Sequence, residues 1–458
     1  MSPFFVLVLI VLLIIAIKVL PNRRRVKLLE EIPGPYHDPI LGALRHFIHS
    51  PEQTWTTFRN FAKVHYPIYK FWLANVPVVS LLCPEDVEFR YMFMFHTLYV
   101  NSVVLLGRKW RSRRKLTTPA FYLSNLQELV SIFVKHSETL SQAVEKECER
   151  LYTNLDGLIS EYTLLAASVF TFRYGELVAH QLSRPWSMIK LLTPKYWEVK
   201  ELLRTLHGFT YSMIANRKRQ LELSTPSSNV SPRLLDLLLS ARNSGQLTDL
   251  DSIRQEVDTF LFASYDNTAK PIYFTLWLLA HHGSIQEKVF RELLEVFNKT
   301  NQPATYHDLQ KLRYLDQVIK ECLRLFPAVP LISRKLTEDM PTYSGYVVPA
   351  GTNVIVQIYD LHHNPEFYYD PYKFDPERFS PENSKNLHSH AYIPFCAGPR
   401  SCIGQKFAMM MIKSALCAIL RRFIVEPVDS MKSVSFTAHL VLKTKEPVRV
   451  KFRKRLLL

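Results

Sequence analysis

Cysteine is scarce: six residues, at 83, 148, 322, 396, 402 and 417, in a chain of 458. Their irregular spacing argues against a disulfide scaffold and fits a reducing, cytosol-facing compartment. Cys396 and Cys402 are not at zinc-knuckle spacing, and no second pair accompanies them. The pairs His281-His282 and His362-His363 lack partner ligands and read as surface or packing residues. There is no internal repeat and no nucleic-acid motif, so no nucleic-acid partner is expected. The formal net charge of +16 suits an acidic membrane surface or an acidic protein partner instead. With 47% hydrophobic and 21% charged residues the chain is not a disordered one, and it can bury a core.

What is present begins with an apolar run. Phe4 to Ile17 are all apolar, and with Lys18 snorkelling the run reaches Leu20, at the short end for a bilayer crossing. A secretory signal peptide is the competing reading. It calls for a basic segment before Phe4 and a small-residue cleavage site, whereas Lys18-Val19-Leu20-Pro21 follows. Arg23, Arg24, Arg25 and Lys27 come next and keep the body of the protein on the cytoplasmic side. Residues 1–20 are therefore expected to be an uncleaved transmembrane anchor. Residues 21–39, basic and carrying Pro33-Gly34-Pro35 and Pro39, are expected to be a hinge, or simply a domain boundary. Residues 40–458 form the main domain.

Most of that domain has a helical texture. Gln127 to Leu151, Pro232 to Ser240 and Leu315 to Phe326 space their apolar residues as helices do. Ile68 to Leu82 turn to β-branched and aromatic residues around Ala74-Asn75, which predicts a hairpin. Tyr346-Val347-Val348 and Val354-Ile355-Val356, flanking Pro349-Ala350-Gly351, predict a second. The fold class is mainly α with small β-sheets, an α+β chain.

The stretch Phe395-Cys396-Ala397-Gly398-Pro399-Arg400-Ser401-Cys402-Ile403-Gly404 organises the chain. It reads F-x-x-G-x-R-x-C-x-G. A buried cysteine in a turn before a core helix is the plain alternative. Each fixed residue has a job if Cys402 is an iron ligand. Gly398 and Gly404 let the backbone turn tightly and approach a flat macrocycle. A helix starting at Gln405 puts its positive end beside the sulfur and favours the thiolate. Arg400 can bond a propionate carboxylate.

This loop resembles the haem-binding loop of the cytochrome P-450 superfamily of haem-thiolate monooxygenases. Tyr392-Ile393-Pro394-Phe395 and Cys402 to Ala408 are most similar to its fatty-acid omega-hydroxylase clan, family four. The resemblance implies the haem-thiolate fold behind an N-terminal anchor, with Cys402 as the metal ligand of haem b. Phe395, Gly398, Arg400 and Gly404 lie around it, and Trp110, Arg114 and Arg334 join Arg400 at the propionates. Arg111, Arg113 and Lys115 would face outward on the side where a reductase docks. Glu321 and Arg324, three apart on one helix, would form with Arg378 of Pro376-Glu377-Arg378-Phe379 a structural triad supporting the loop. Taken alone, E-x-x-R is no more than an exposed surface pair.

Glu256 to Ala269 match the long helix over the haem. Where the family reads A/G-G-x-D/E-T-T, this chain reads Ala263-Ser264-Tyr265-Asp266-Asn267-Thr268. The usual oxygen-side threonine is Asn267, which can donate hydrogen bonds but is a poorer proton relay than a hydroxyl. Asp266, Asn267 and Thr268 are the candidate catalytic residues. Pro271 sits inside the same helix and should bend it. The glutamate that can ester-link haem in family four falls at Ala263, so covalent haem is not expected. Two regions, near 87–109 and 155–162, look shorter than the family pattern.

The resemblance implies a monooxygenase that inserts one atom of O₂ into a lipophilic substrate: fatty-acid-like, a hormone or a xenobiotic. Electrons come from NADPH through a reductase, with cytochrome b5 as a further partner. The location implied is the endoplasmic reticulum membrane, with the catalytic domain facing the cytosol. The alternative is a haem-binding but catalytically weak or inactive family member with a shortened pocket.

Overall fold

The computed structural model describes residues 23–455 apart from 37, 39–40, 48, 75, 94–106, 168–193, 224–232, 247–248, 298–301 and 439. The expected anchor at 1–20 lies outside them. Among the described residues no helix is long and apolar enough to cross a membrane. Of the two regions read as short, 87–93 and 107–109 lie in helices Pro84–Phe93 and Gly107–Thr117, and 155–162 lie in helix Leu155–Ala167.

The chain falls into two compact units. The first comprises Met1–Leu98, Leu331–Leu361 and His388–Tyr392. Its centre is a four-stranded sheet. The expected hairpin, Ile68–Leu73 with Val76–Leu81, pairs antiparallel with Ile68 opposite Leu81. Strand Asn353–Val356 runs parallel to the second hairpin strand, and Ile332–Lys335 closes the sheet antiparallel to it. Helix Pro51–Val64 begins with a capping box, in which Ser50 and Gln53 satisfy each other's backbone N–H, and with proline at its first position. Its Phe58 and Phe61 pack with Phe47, Tyr69 and Phe71 over the sheet. The second predicted hairpin does not form. Val347–Val348 pairs with Met340–Pro341 in a separate two-stranded sheet, while Asn353–Val356 joins the large one. Val347–Val348 and Asn353–Val356 thus take different partners from the rest of the unit, which local β propensity does not encode.

The stretch expected as a hinge holds a short docked helix, Arg23–Glu30, with Leu29 and nearby Ile32 fully buried. Arg24 pairs with Asp339 at 2.6 Å, and Arg25 donates to the Gly351 carbonyl at 2.7 Å. Gly34 is there for space. A Cβ would stand 2.1 Å from the Lys70 carbonyl oxygen, because the Lys70 N–H reaches the Pro33 carbonyl beside it.

The second unit comprises Tyr99–Pro330, His362–Leu387 and Ile393–Leu458 and is mostly helical. Helix Leu123–Glu147 packs on Gln405–Leu420, and Leu155–Ala167 packs on the long helix Leu250–His281. That long helix has 32 residues and is capped by Asp249, which accepts the Ser252 N–H. From Thr268 to Ala280 every residue is buried; most are apolar, and Lys270 is paired with Asp156. Pro271 is accommodated without ending it. The small sheets are Thr153–Asn154, Arg449–Lys454 and Phe423–Pro427 in that order, and Phe436–Ala438 with Leu442–Thr444. The mainly helical class with small sheets is the one expected.

Candidate haem-thiolate site

In the Cys402 loop a 3₁₀ turn covers Gly398–Arg400, and helix Gln405–Leu420 starts directly after Gly404. Gly398 has φ +71°, a backbone that favours glycine. Within the protein itself Gly404 is not crowded. Its φ is −91°, and a Cβ would make only ordinary 3.9 Å contacts with Cys402 Sγ and the Phe121 ring. Cys396 takes φ +61°, a strained value for a residue with a side chain. Two backbone bonds hold the loop: the Cys396 N–H donates to the Ile393 carbonyl and the Cys402 N–H to the Phe395 carbonyl, both at 2.9 Å.

Cys402 is solvent-exposed, yet burial pushes its thiol pKa up, so the sulfur stands in a recess. The Gly404 backbone N–H bonded to the sulfur and the Arg114 charge both pull the other way. Helix Gly107–Thr117 delivers the basic partners. Arg114 donates to the Ser401 carbonyl at 3.0 Å, and the Arg400 guanidinium lies 4.0 Å from the Trp110 ring centre. Trp110, Arg114, Arg400 and Cys402 are therefore gathered as expected. Arg113 departs from expectation: it is buried, 3.8 Å from buried Glu256, and does not face outward with exposed Arg111 and Lys115. A four-residue basic run winds round the helix, so one of its members must point inward. Arg334 stands on strand Ile332–Lys335 of the first unit and donates to the Ser333 carbonyl.

Glu321 and Arg324 are wholly buried and bidentate, at 2.7 and 2.8 Å. The remaining Arg324 donors reach the carbonyls of His362, Pro371 and Lys373, so all five N–H groups are used. The Asp375 N–H donates to Glu321. Arg378 stands off at 3.5 Å from Glu321 and donates instead to the Asp370 carbonyl. Burial raises the Glu321 pKa against the pull of Arg324.

His362 was missed by the sequence reading. It is fully buried, in line with the packing reading and not the surface one, and its Nε2 accepts the Ile393 N–H at 2.9 Å. The ring's partner here is a backbone N–H, which carries no residue signature.

On the long helix, Asp266 pairs with half-exposed Lys443 at 3.2 Å. The Asn267 Oδ1 is buried and accepts no hydrogen bond among the described residues, and Thr268 is buried. Phe260 of the same helix stacks on Phe121, which meets Phe407 edge-on. Lys443 is the second functional candidate the sequence hid. Elsewhere, Glu88, His388 and His390 cluster in the first unit. The His388 Nδ1 accepts the His390 N–H, so its Nε2 carries the proton toward Glu88 at 3.3 Å and is no open metal donor.

The donor set fits a haem. A thiol in a recess, with an N–H on its sulfur, lies beside an aromatic-backed pair of arginines. The cytochrome P450 family model matches residues 172–452. Human cytochrome P450 4V2 is 36% identical over 439 residues, covering 85% of this chain and 83% of the relative. Cytochrome P450 4c3 of Drosophila melanogaster is 32% identical over 491 residues, covering 95% and 92%. Cytochrome P450 4c21 of Blattella germanica is 31% identical over 494, covering 98% of each. The last two alignments exceed the 458 residues of this chain, so gaps open within it.

The fold and site are those of a haem-thiolate monooxygenase. The chain belongs to the cytochrome P450 family, in its family-four branch. Its cofactor is haem with a cysteine thiolate as axial ligand.

Proposed function

We propose that Cys402 supplies the axial thiolate to haem b and that Arg114, Arg400 and Trp110 hold its propionates. The carrying observation is the convergence of Trp110, Arg114 and Arg400 on the loop that presents Cys402. Haem held there would supply the chemistry that places one atom of O₂ in a substrate, with a thiolate ligand favouring O–O cleavage. The chain's residues do the rest. Gly404 donates its N–H to the sulfur, and Arg114 favours the anion there. Phe395 fixes the Cys402 N–H, and Gly398 makes the turn. Lys443, half in solvent, connects the Asp266 carboxylate to bulk water for proton supply. Asn267 offers amide hydrogen bonds, and Thr268 lies one residue further round the helix.

The substrate is lipophilic and fatty-acid-like, the clan's preference, with hormones and xenobiotics in the same chemical range. Electrons arrive from an NADPH-dependent reductase, with cytochrome b5 as a second donor. The exposed Arg111 and Lys115 suit an acidic docking partner. Residues 1–20 anchor the protein in the endoplasmic reticulum membrane, with the catalytic domain cytosolic. A titration with fatty acids, hormones and xenobiotics, read by the haem spin-state shift, tests the substrate class. Saturable shifts with long-chain fatty acids are expected, and none with any lipophile would refute it.

A second reading is favoured by one observation. The oxygen-side position holds an amide whose carbonyl oxygen is buried without a partner among the described residues. That arrangement supports a haem-binding protein of weak catalysis. Product formed per NADPH consumed separates the two readings.

A further inference from the structure

We propose that His362 is a positioning residue: as a neutral hydrogen-bond acceptor it ties the buried Glu321–Arg324 pair to the start of the Cys402 loop. The proposal rests on the assignment of Cys402 as the thiolate ligand. Four bonds carry it. Arg324, locked by Glu321, donates to the His362 carbonyl at 2.9 Å. The His362 ring accepts the Ile393 N–H through Nε2 at 2.9 Å. The Ile393 carbonyl accepts the Cys396 N–H, and the Phe395 carbonyl accepts the Cys402 N–H. The series runs without a break from an ion pair on helix Arg313–Leu325 into the loop.

The loop needs such a hold. Cys396 sits at φ +61°, a conformation that persists only when its surroundings fix it. Ile393 is buried, so its N–H has no water to turn to, and an unmade bond there would be costly. A residue at 362 must therefore offer an acceptor at the distance of Nε2. Imidazole does so only when unprotonated at that atom.

Burial and the Arg324 charge depress the His362 pKa to about 3, well under its ordinary 6.5. The charged group against it is Arg324, which pairs with Glu321 and lies over the Tyr368 ring, while Arg378 of the Pro376–Phe379 turn faces Glu321 beyond. The sign follows. Above about pH 6.5 His362 is neutral in both folded and unfolded chains, and the stabilisation is complete. As the pH falls toward 3 the unfolded chain takes a proton that the folded one refuses, so stability is lost on the acid side.

The test compares the haem-loaded wild type with His362→Gln, His362→Asn and His362→Phe. A glutamine amide reaches the Nε2 position, an asparagine amide reaches only Nδ1, and phenylalanine fills the space without an acceptor. His362→Gln should keep the reduced carbon monoxide band of thiolate ligation. His362→Asn and His362→Phe should lose it, or shift the folding equilibrium by about tenfold or more. Between pH 6 and 4 the wild type should also lose stability relative to His362→Gln by up to about tenfold per pH unit. Should His362→Phe fail to fold, the glutamine–asparagine pair decides. Equal behaviour of that pair, loss of the band in His362→Gln, or parallel pH curves would each overturn the proposal. Cys402→His in the same series separates the two assignments. A band surviving there defeats the ligand assignment itself. A band lost there, but intact in His362→Phe with an unchanged folding equilibrium, defeats only the positioning role.

Discussion

Two regions of the second unit are built to different standards. Around Cys402 the chain holds its geometry several times over. All five Arg324 donors are used, two backbone bonds close the loop, and His362 adds a third tie. Along Asp266-Asn267-Thr268 the same chain is loose. Its acid is committed to a half-exposed lysine, and a buried amide oxygen accepts nothing among the described residues. Unsatisfied buried polar atoms are the exception in native proteins and concentrate where function or its decay is at work. If the two regions carry the roles proposed for them, holding the cofactor and handling its protons fall to separate parts of this chain.

The contrast can be broken hardest at the ion pair. Arg324→Ala or Glu321→Ala leaves one charge buried without its partner, which costs about 3–5 kcal/mol, comparable to much of a domain's stability. Haem content per chain should fall to near zero. Normal haem with low turnover would put these residues in chemistry instead. Arg378→Ala should cost distinctly less, because Arg378 stands off at 3.5 Å and is partly exposed.

Next in size, Cys402→His should abolish the reduced carbon monoxide band of thiolate ligation while Cys396→Ser preserves it. Only Cys402 has the Gly404 N–H on its sulfur. A band that depends on Cys396 would mean that the loop presents the other thiol.

On the loose side, Asn267→Thr should raise product per NADPH consumed, with less hydrogen peroxide released, because a hydroxyl relays protons better than an amide. Tight coupling already in the natural protein would make Asn267 a working anchor and erase the contrast. The smallest effect belongs to Lys443→Ala. That pair is half in solvent, so stability should change by less than about 1 kcal/mol. Coupling should respond more than melting temperature, and a change confined to melting would make the pair structural.

The sequence showed the loop and its helix start because their residue types follow from local backbone needs and from the sulfur's charge. The hairpin at Ile68 was equally plain. The misplaced strands at Val347–Val348 and Asn353–Val356 were not, because their partners come from distant parts of the chain. Arg113 was misjudged because charge suggests exposure and only the packing reveals Glu256. His362 was overlooked because its ring meets a main-chain N–H, and because Arg324 bonds its carbonyl, a group every residue has. Lys443 was a lone basic residue in a three-residue strand until Asp266 stood beside it.

The docked helix Arg23–Glu30 has a consequence for how the protein sits in a cell. It is pinned by Arg24 to Asp339 and by Arg25 to Gly351. If residues 4–20 cross the bilayer as proposed, only residues 21 and 22 separate the lipid-embedded run from this fixed point. Two residues of extended chain reach about 7 Å. The leash has almost no slack, so the first unit would be held against the lipid surface with little freedom to wander from it.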